Sequence, residues 1–116
     1  MIYDQAHKLA QKIKNSSEYQ ELKEAKKMID QNSESQKILA DFHAKQLEIQ
    51  AMQMMGQEIS VDKVKEYEKM SGLLVLHPTV RDYLQAEFKL LKIMADIQKI
   101  LSDALEIIQP KAVDKE

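Results

Sequence analysis

Three histidines, His7, His43 and His77, are the side chains of this 116-residue chain best suited to moving protons or holding a metal near neutral pH. Their neighbours decide whether they can. Asp41 stands two positions before His43, and residues two apart point to different sides of a helix. No His-Glu-x-x-His run occurs, and no Glu-x-x-His pair appears in the arrangement of helical di-metal sites. His77 precedes Pro78, where a cation suits the negative end of a helix. Among the carboxylates, Glu87 and Asp96 are the candidates for hydrolytic work, but no pair of acids converges by spacing. The serines are Ser16, Ser17, Ser33, Ser35, Ser60, Ser71 and Ser102; most stand where helix caps belong, and none lies in a Gly-x-Ser-x-Gly elbow.

Cofactor chemistry is equally bare. With no cysteine, thiolate metal sites, iron–sulfur ligation, disulfides and cysteine nucleophiles are excluded. With two glycines there is no Gly-rich loop to cradle a phosphate. The expectation is no catalytic residue, no cofactor and no metal.

Binding chemistry is better represented. Met52, Met54 and Met55 fall within four residues and cannot all face one core. Methionine adapts to irregular partners and is common at promiscuous binding surfaces. The cluster reads either as a partner or dimer patch or as core filling near a helix tip. Tyr67 and Tyr83 suit the role of core or interface anchors with a wet hydroxyl.

The elements that carry these residues are helices. Helix formers dominate, and two glycines and two prolines leave few turns. A first helix is predicted over Ile2–Lys14, with Ile2, Ala6, Leu9, Ala10 and Ile13 on one face. A second, over Glu18–Asp30, is capped by Ser16 or Ser17, and the two form either separate helices or one kinked helix. A third, over Glu34–Met55, is capped by Asn32 or Ser33 and stopped by Gly56. A fourth starts at Val61 behind Ser60 and ends at His77-Pro78; Gly72 within it permits a close crossing or is merely tolerated. A fifth, capped by Thr79, continues to about Gln109 before Pro110.

The fifth helix carries two apolar stripes. One is Val80, Leu84, Phe88, Leu91, Ala95, Leu101, Leu105 and Ile108; the other is Tyr83, Leu90, Ile93 or Met94, Ile97, Ile100, Ala104 and Ile107. Five helices from one short chain cannot easily cover both, so a second copy is expected to help, most simply as a two-fold homodimer. The interface is predicted to use Met52, Met54, Met55, Tyr83, Leu90, Ile93, Ile97 and Ile100. The fold expected is therefore all-α: a dimeric bundle of about five amphipathic helices with a long C-terminal helix. Residues 1–110 form one domain and 111–116 a polar tail.

Charge narrows the partners. The net charge is −2, and cations such as Lys23, Lys26 and Lys27 are interleaved with Glu21 and Glu24, so no basic footprint for nucleic acid is present. No secretory signal opens the chain, and the longest apolar run, Leu73-Leu74-Val75-Leu76, is far short of the ~20 residues that span a bilayer. A cytoplasmic protein is expected, with a second copy of itself and another cytosolic protein as partners, rather than nucleic acid or membrane.

The stretch Phe42-His43-Ala44-Lys45-Gln46-Leu47, followed by Gln50-Ala51-Met52-Gln53-Met54-Met55-Gly56-Gln57-Glu58-Ile59-Ser60, resembles the YlbF/YmcA-like bacterial family, particularly its YheA branch. Ser17-Glu18-Tyr19-Gln20-Glu21-Leu22-Lys23 and His77-Pro78 extend the resemblance over nearly the whole chain. It implies an all-helical, dimeric, cytosolic protein without catalytic residues. It also implies a regulatory adaptor, since better-studied relatives join a complex linked to ribonuclease-dependent RNA processing. An RNA-associated factor of such a complex is the alternative. Cysteines of that complex hold iron–sulfur clusters, and this chain departs from it in having none.

Overall fold

The computed structural model describes residues 1–106. Helix α1 spans Ile2–Lys14, α2 Ser17–Asp30, α3 Ser33–Met54, α4 Val61–Leu73 and α5 Pro78–Ala104, with a 3₁₀ turn at Leu74–Leu76 before α5. No strand occurs among the described residues. The all-α architecture expected from composition is what forms.

Local chemistry sets most of the boundaries. Ser16 Oγ accepts the Tyr19 N–H at 3.2 Å, and Asn32 Oδ1 accepts the Ser35 N–H at 2.9 Å. Ser60 Oγ accepts the Lys63 N–H at 3.2 Å. Each supplies a partner to an amide that the first turn leaves unpaired. Ser16 and Asn32 therefore make α1, α2 and α3 separate helices. At the end of α3, Gly56 takes φ +75°. There the Gln57 N–H reaches the Met52 carbonyl at 2.9 Å and the Gly56 N–H that of Gln53 at 3.1 Å, the paired closure of a Schellman motif.

Three boundaries differ from expectation. His77 rather than Thr79 is the N-cap of α5, and Pro78 takes the first helical position, where its missing N–H costs nothing. α4 stops at Leu73 and tightens into the 3₁₀ turn instead of running to His77. α5 leaves helical geometry at Leu105, with φ −113° and ψ 68°. α5 therefore ends at Ala104, short of the expected Gln109, because Leu105 no longer has helical backbone angles. The stop at Pro110, the stripe residues Ile107 and Ile108, and the tail Lys111–Glu116 lie outside the described residues.

The helices form two antiparallel pairs, of which α3–α4 is a hairpin. α2 runs antiparallel to α5, with Glu21 bridged to Lys89 at 3.3 Å near one end, and Ala25 and Met28 beside Thr79, Asp82 and Gln85 near the other. α3 and α4 form the second pair: Phe42 meets Tyr67 at 5.3 Å between ring centroids, and Lys45 reaches Glu66 across the pair. α4 touches α5 only through the 3₁₀ turn, and α1 packs on α2 alone. Nothing lies within 4 Å of a Cβ built at Gly72, so no close crossing occurs there.

The core is small. Among the described residues the buried apolar side chains are Ile29, Phe42, Val80 and Ala86, one or two from each of α2, α3 and α5. α1 and α4 bury none completely. The molecule is a flat body of 46 × 39 × 16 Å.

Candidate protein-interaction surface

Beside the core, α3 and α5 run in the same direction and meet through a polar contact. His43 Nε2 lies 3.0 Å from Glu87 Oε1, and the Tyr83 ring stands edge-on to the imidazole at 6.4 Å. Burial pushes the Tyr83 phenol up, with the negative charges of Glu87 and Asp30 adding to the shift. His43 thus faces Glu87 across the helices, not Asp41 along its own.

Beyond this contact α3 and α5 border an open groove. One hollow of about 770 Å³ is lined by Leu47, Ile49, Val64, Tyr67 and Leu91 with a row of glutamines, Gln46, Gln50 and Gln53. A second, of about 620 Å³, continues past Phe42, Tyr67, Leu74, Leu84 and Phe88. Gln46, Tyr67, Glu87 and Leu91 line both. The walls are mainly apolar, and the α3–α4 side is braced by an ion network. Lys45 bridges Glu48 at 3.1 Å and Glu66 at 2.7 Å, and Lys63 pairs with Glu48. The hydrogen bond from Lys63, then that from Lys45, holds the Glu48 carboxyl below its ordinary range; Lys45 does the same for Glu66. Lys45 itself is raised by its hydrogen bonds to Glu66 and Glu48.

As chemistry this arrangement offers little beyond binding. A histidine oriented by a carboxylate is half of an acid–base relay, but the groove presents it with glutamines, aliphatic side chains and a tyrosine. Glu87 and Asp96 do not converge: Glu87 faces α3, whereas Asp96 is paired with Lys92 at 3.2 Å on the solvent side. Ser60 and Lys63 have the Ser-x-x-Lys spacing of some nucleophiles, which is easily overlooked in the sequence. Here the hydroxyl caps α4 and the ammonium is taken up by Glu48. No group of three or more His, Asp or Glu positioned for a metal occurs among the described residues. None of their helices is long and apolar enough to cross a membrane.

The predicted interface residues separate into three places. Met54 and Met55 are exposed at the tip of α3, 84% and 72%, while Met52 is half-buried. Tyr83, Leu90, Ile93 and Ile97 are half-buried, and the last three project from the side of α5 on which α2 packs. Ile100, beyond the reach of α2, is 66% exposed. The apolar residues left bare on α5 belong mainly to the other stripe: Phe88, Leu91, Leu101 and Leu105, joined by Met94. Both stripes are legible in the sequence, but which one α2 covers depends on the angle at which α2 returns.

The chain matches the family model described as "Control of competence regulator ComK, YlbF/YmcA" over residues 2–106. It is 39% identical over 109 residues to a UPF0342 protein of Desulfitobacterium hafniense, covering 94% of this chain and 88% of the relative. It is 41% identical over 106 residues to a UPF0342 protein of Halothermothrix orenii, covering 91% and 90%. A solved "Protein of Unknown Function (DUF964)" from Bacillus stearothermophilus superposes with a TM-score of 0.75 at 22% identity, covering 96% of this chain and 97% of the other. That likeness shows the same fold. Matched along the whole of its described length, the chain belongs to the YlbF/YmcA family of competence-regulator control proteins.

Proposed function

We propose that this chain is a cytoplasmic, homodimeric regulatory adaptor that works by binding proteins and performs no chemistry of its own. The observation that carries the reading is the mismatch between apolar surface and core. Four apolar side chains are buried among the described residues, while α1, α5 and the tip of α3 leave large apolar residues in water. Scattered exposed leucines are ordinary, but contiguous apolar faces mark interaction sites. The family's description as control of a competence regulator supports a regulatory partner. The RNA-associated alternative gains no support from charge: Lys26, Lys45, Lys63, Lys89, Lys92 and Lys99 each have a carboxylate partner.

Size-exclusion chromatography with light scattering tests the dimer. The expected particle has twice the 13.4 kDa chain mass at micromolar concentration, and a monomer there refutes it. The adaptor role is tested by co-purification with the proteins that control the competence regulator, comparing the natural chain with a Met54→Lys, Met55→Lys variant. Capture by the natural chain and loss by the variant are expected. Equal capture by both removes the methionine tip from the binding surface, and capture by neither removes the adaptor role.

A further inference from the structure

The bare stripe of α5 is set apart from most of the charge on its helix. From Phe88 to Leu105 the charged residues of α5 are Lys89, Lys92, Asp96, Lys99 and Asp103. At about 100° per residue these five fall within an arc of roughly 80°, and of the five only Lys89 lines the groove. Lys92 pairs with Asp96 and Lys99 with Asp103 along that arc. Past Lys89, none of these charges lines the groove. It continues the surface on which Val80 is fully buried and Leu84 half-buried within the chain.

Area shows how much cover is missing. The accessible surface is 9338 Å². A compact monomer of this mass has about 6,500 Å². The excess is far above the roughly 800 Å² each partner buries in a standard interface. A second copy of the chain is the occupant that matches this excess, because it brings an equal deficit of its own.

We infer that the groove between α3, α4 and α5 is filled by the C-terminal half of α5 from a second copy, with the two α5 helices crossing antiparallel about a two-fold axis near Ala95. This deepens the homodimer reading and rests on it. A two-fold contact must be self-complementary, with the same surface serving as wall and as insert. α5 meets that condition: Phe88 and Leu91 line the hollows, and Leu101 and Leu105 project from the unsupported end of the same stripe. Placing the axis at the stripe's midpoint sets Leu91 beside Leu101 of the partner subunit and lets each stripe cover the other. Ala95 at the crossing is small enough for close approach.

The absence of native cysteine makes engineered disulfides a clean test. Leu91→Cys with Leu101→Cys places two thiols about 15 Å apart on one helix, which a disulfide cannot bridge, so any bond joins two copies. That variant is oxidised in parallel with Ala95→Cys, Phe88→Cys and, on α1, Leu9→Cys, all with helical content checked by circular dichroism. Covalent dimers from the double variant and from Ala95→Cys, with little from Phe88→Cys, are expected. A light-scattering dimer that cross-links through Leu9→Cys, or not at all through α5, overturns this geometry and leaves the dimer standing. A monomer overturns both. Leu91→Lys gives a second readout: it should return the particle to the 13.4 kDa monomer at micromolar concentration, and a surviving dimer rejects the groove as the interface.

Discussion

At Gly56 the backbone takes φ +75° with nothing within 4 Å of a would-be Cβ, so the glycine is required by conformation and not by space. Gly56→Ala should cost about 1 kcal/mol in urea unfolding, the left-handed penalty of an L-residue. Gly72 has equally open surroundings and ordinary helical φ. Gly72→Ala should raise stability by about 0.5–1 kcal/mol by the same measurement, since alanine loses less chain entropy in a helix. The Lys45–Glu48–Lys63–Glu66 network has a pH signature. Glu48 and Glu66 are lowered on folding, so their contribution is present above the ordinary carboxyl value of 4.5 and fades as pH falls through the lower folded values. Lys45 is raised, so its share persists below 10.5 and is lost as pH climbs past its folded value. Urea midpoints from about pH 6 down to about pH 3 should fall less steeply for Lys45→Met than for the natural chain. An identical slope would show that the network adds no stability.

Helix boundaries are where the sequence spoke most directly. α1 forms over Ile2–Lys14 as its periodicity indicates, and Ser16, Asn32 and Ser60 cap as their side chains predispose them to. Asn32→Ala should cost about 1 kcal/mol by removing the acceptor for the Ser35 N–H, read as a lower thermal midpoint. The start of α5 escaped because His77 makes no side-chain cap, and the helix relies on Pro78 to fix its first turn. α1 contributes no fully buried residue and packs only on α2. Removing residues 1–12 should therefore take away their share of the helical signal while leaving the urea midpoint of the remainder nearly unchanged. A collapse of that midpoint would show that α1 helps to hold the fold.

At the scale of the whole molecule, a flat assembly with a small core is poorly stabilised as a lone chain. If the folded state is a dimer, its melting temperature must rise with protein concentration, because association adds to stability by mass action. Differential scanning fluorimetry over a hundredfold range of concentration should show that rise for the natural chain. For Leu91→Lys the melting temperature should be lower and independent of concentration.

The double apolar face of α5 was visible in the order of its residues, because a helix repeats every 3.6 positions whatever surrounds it. The helical class was legible for the same reason: it depends on near neighbours along the chain. Whether α1 and α2 are separate or one kinked helix was left open, and the Ser16 cap decided it. The tertiary structure decided which stripe is covered. Leu90, Ile93 and Ile97 became half-buried on the side of α5 where α2 packs, while Phe88 and Leu91 were left at an open groove and Leu101 was left exposed beyond it. It also joined His43 to Glu87, forty-four positions away. Such contacts depend on the angle at which each helix pair closes, which is fixed by packing between elements distant in the chain and not by the periodicity of either one.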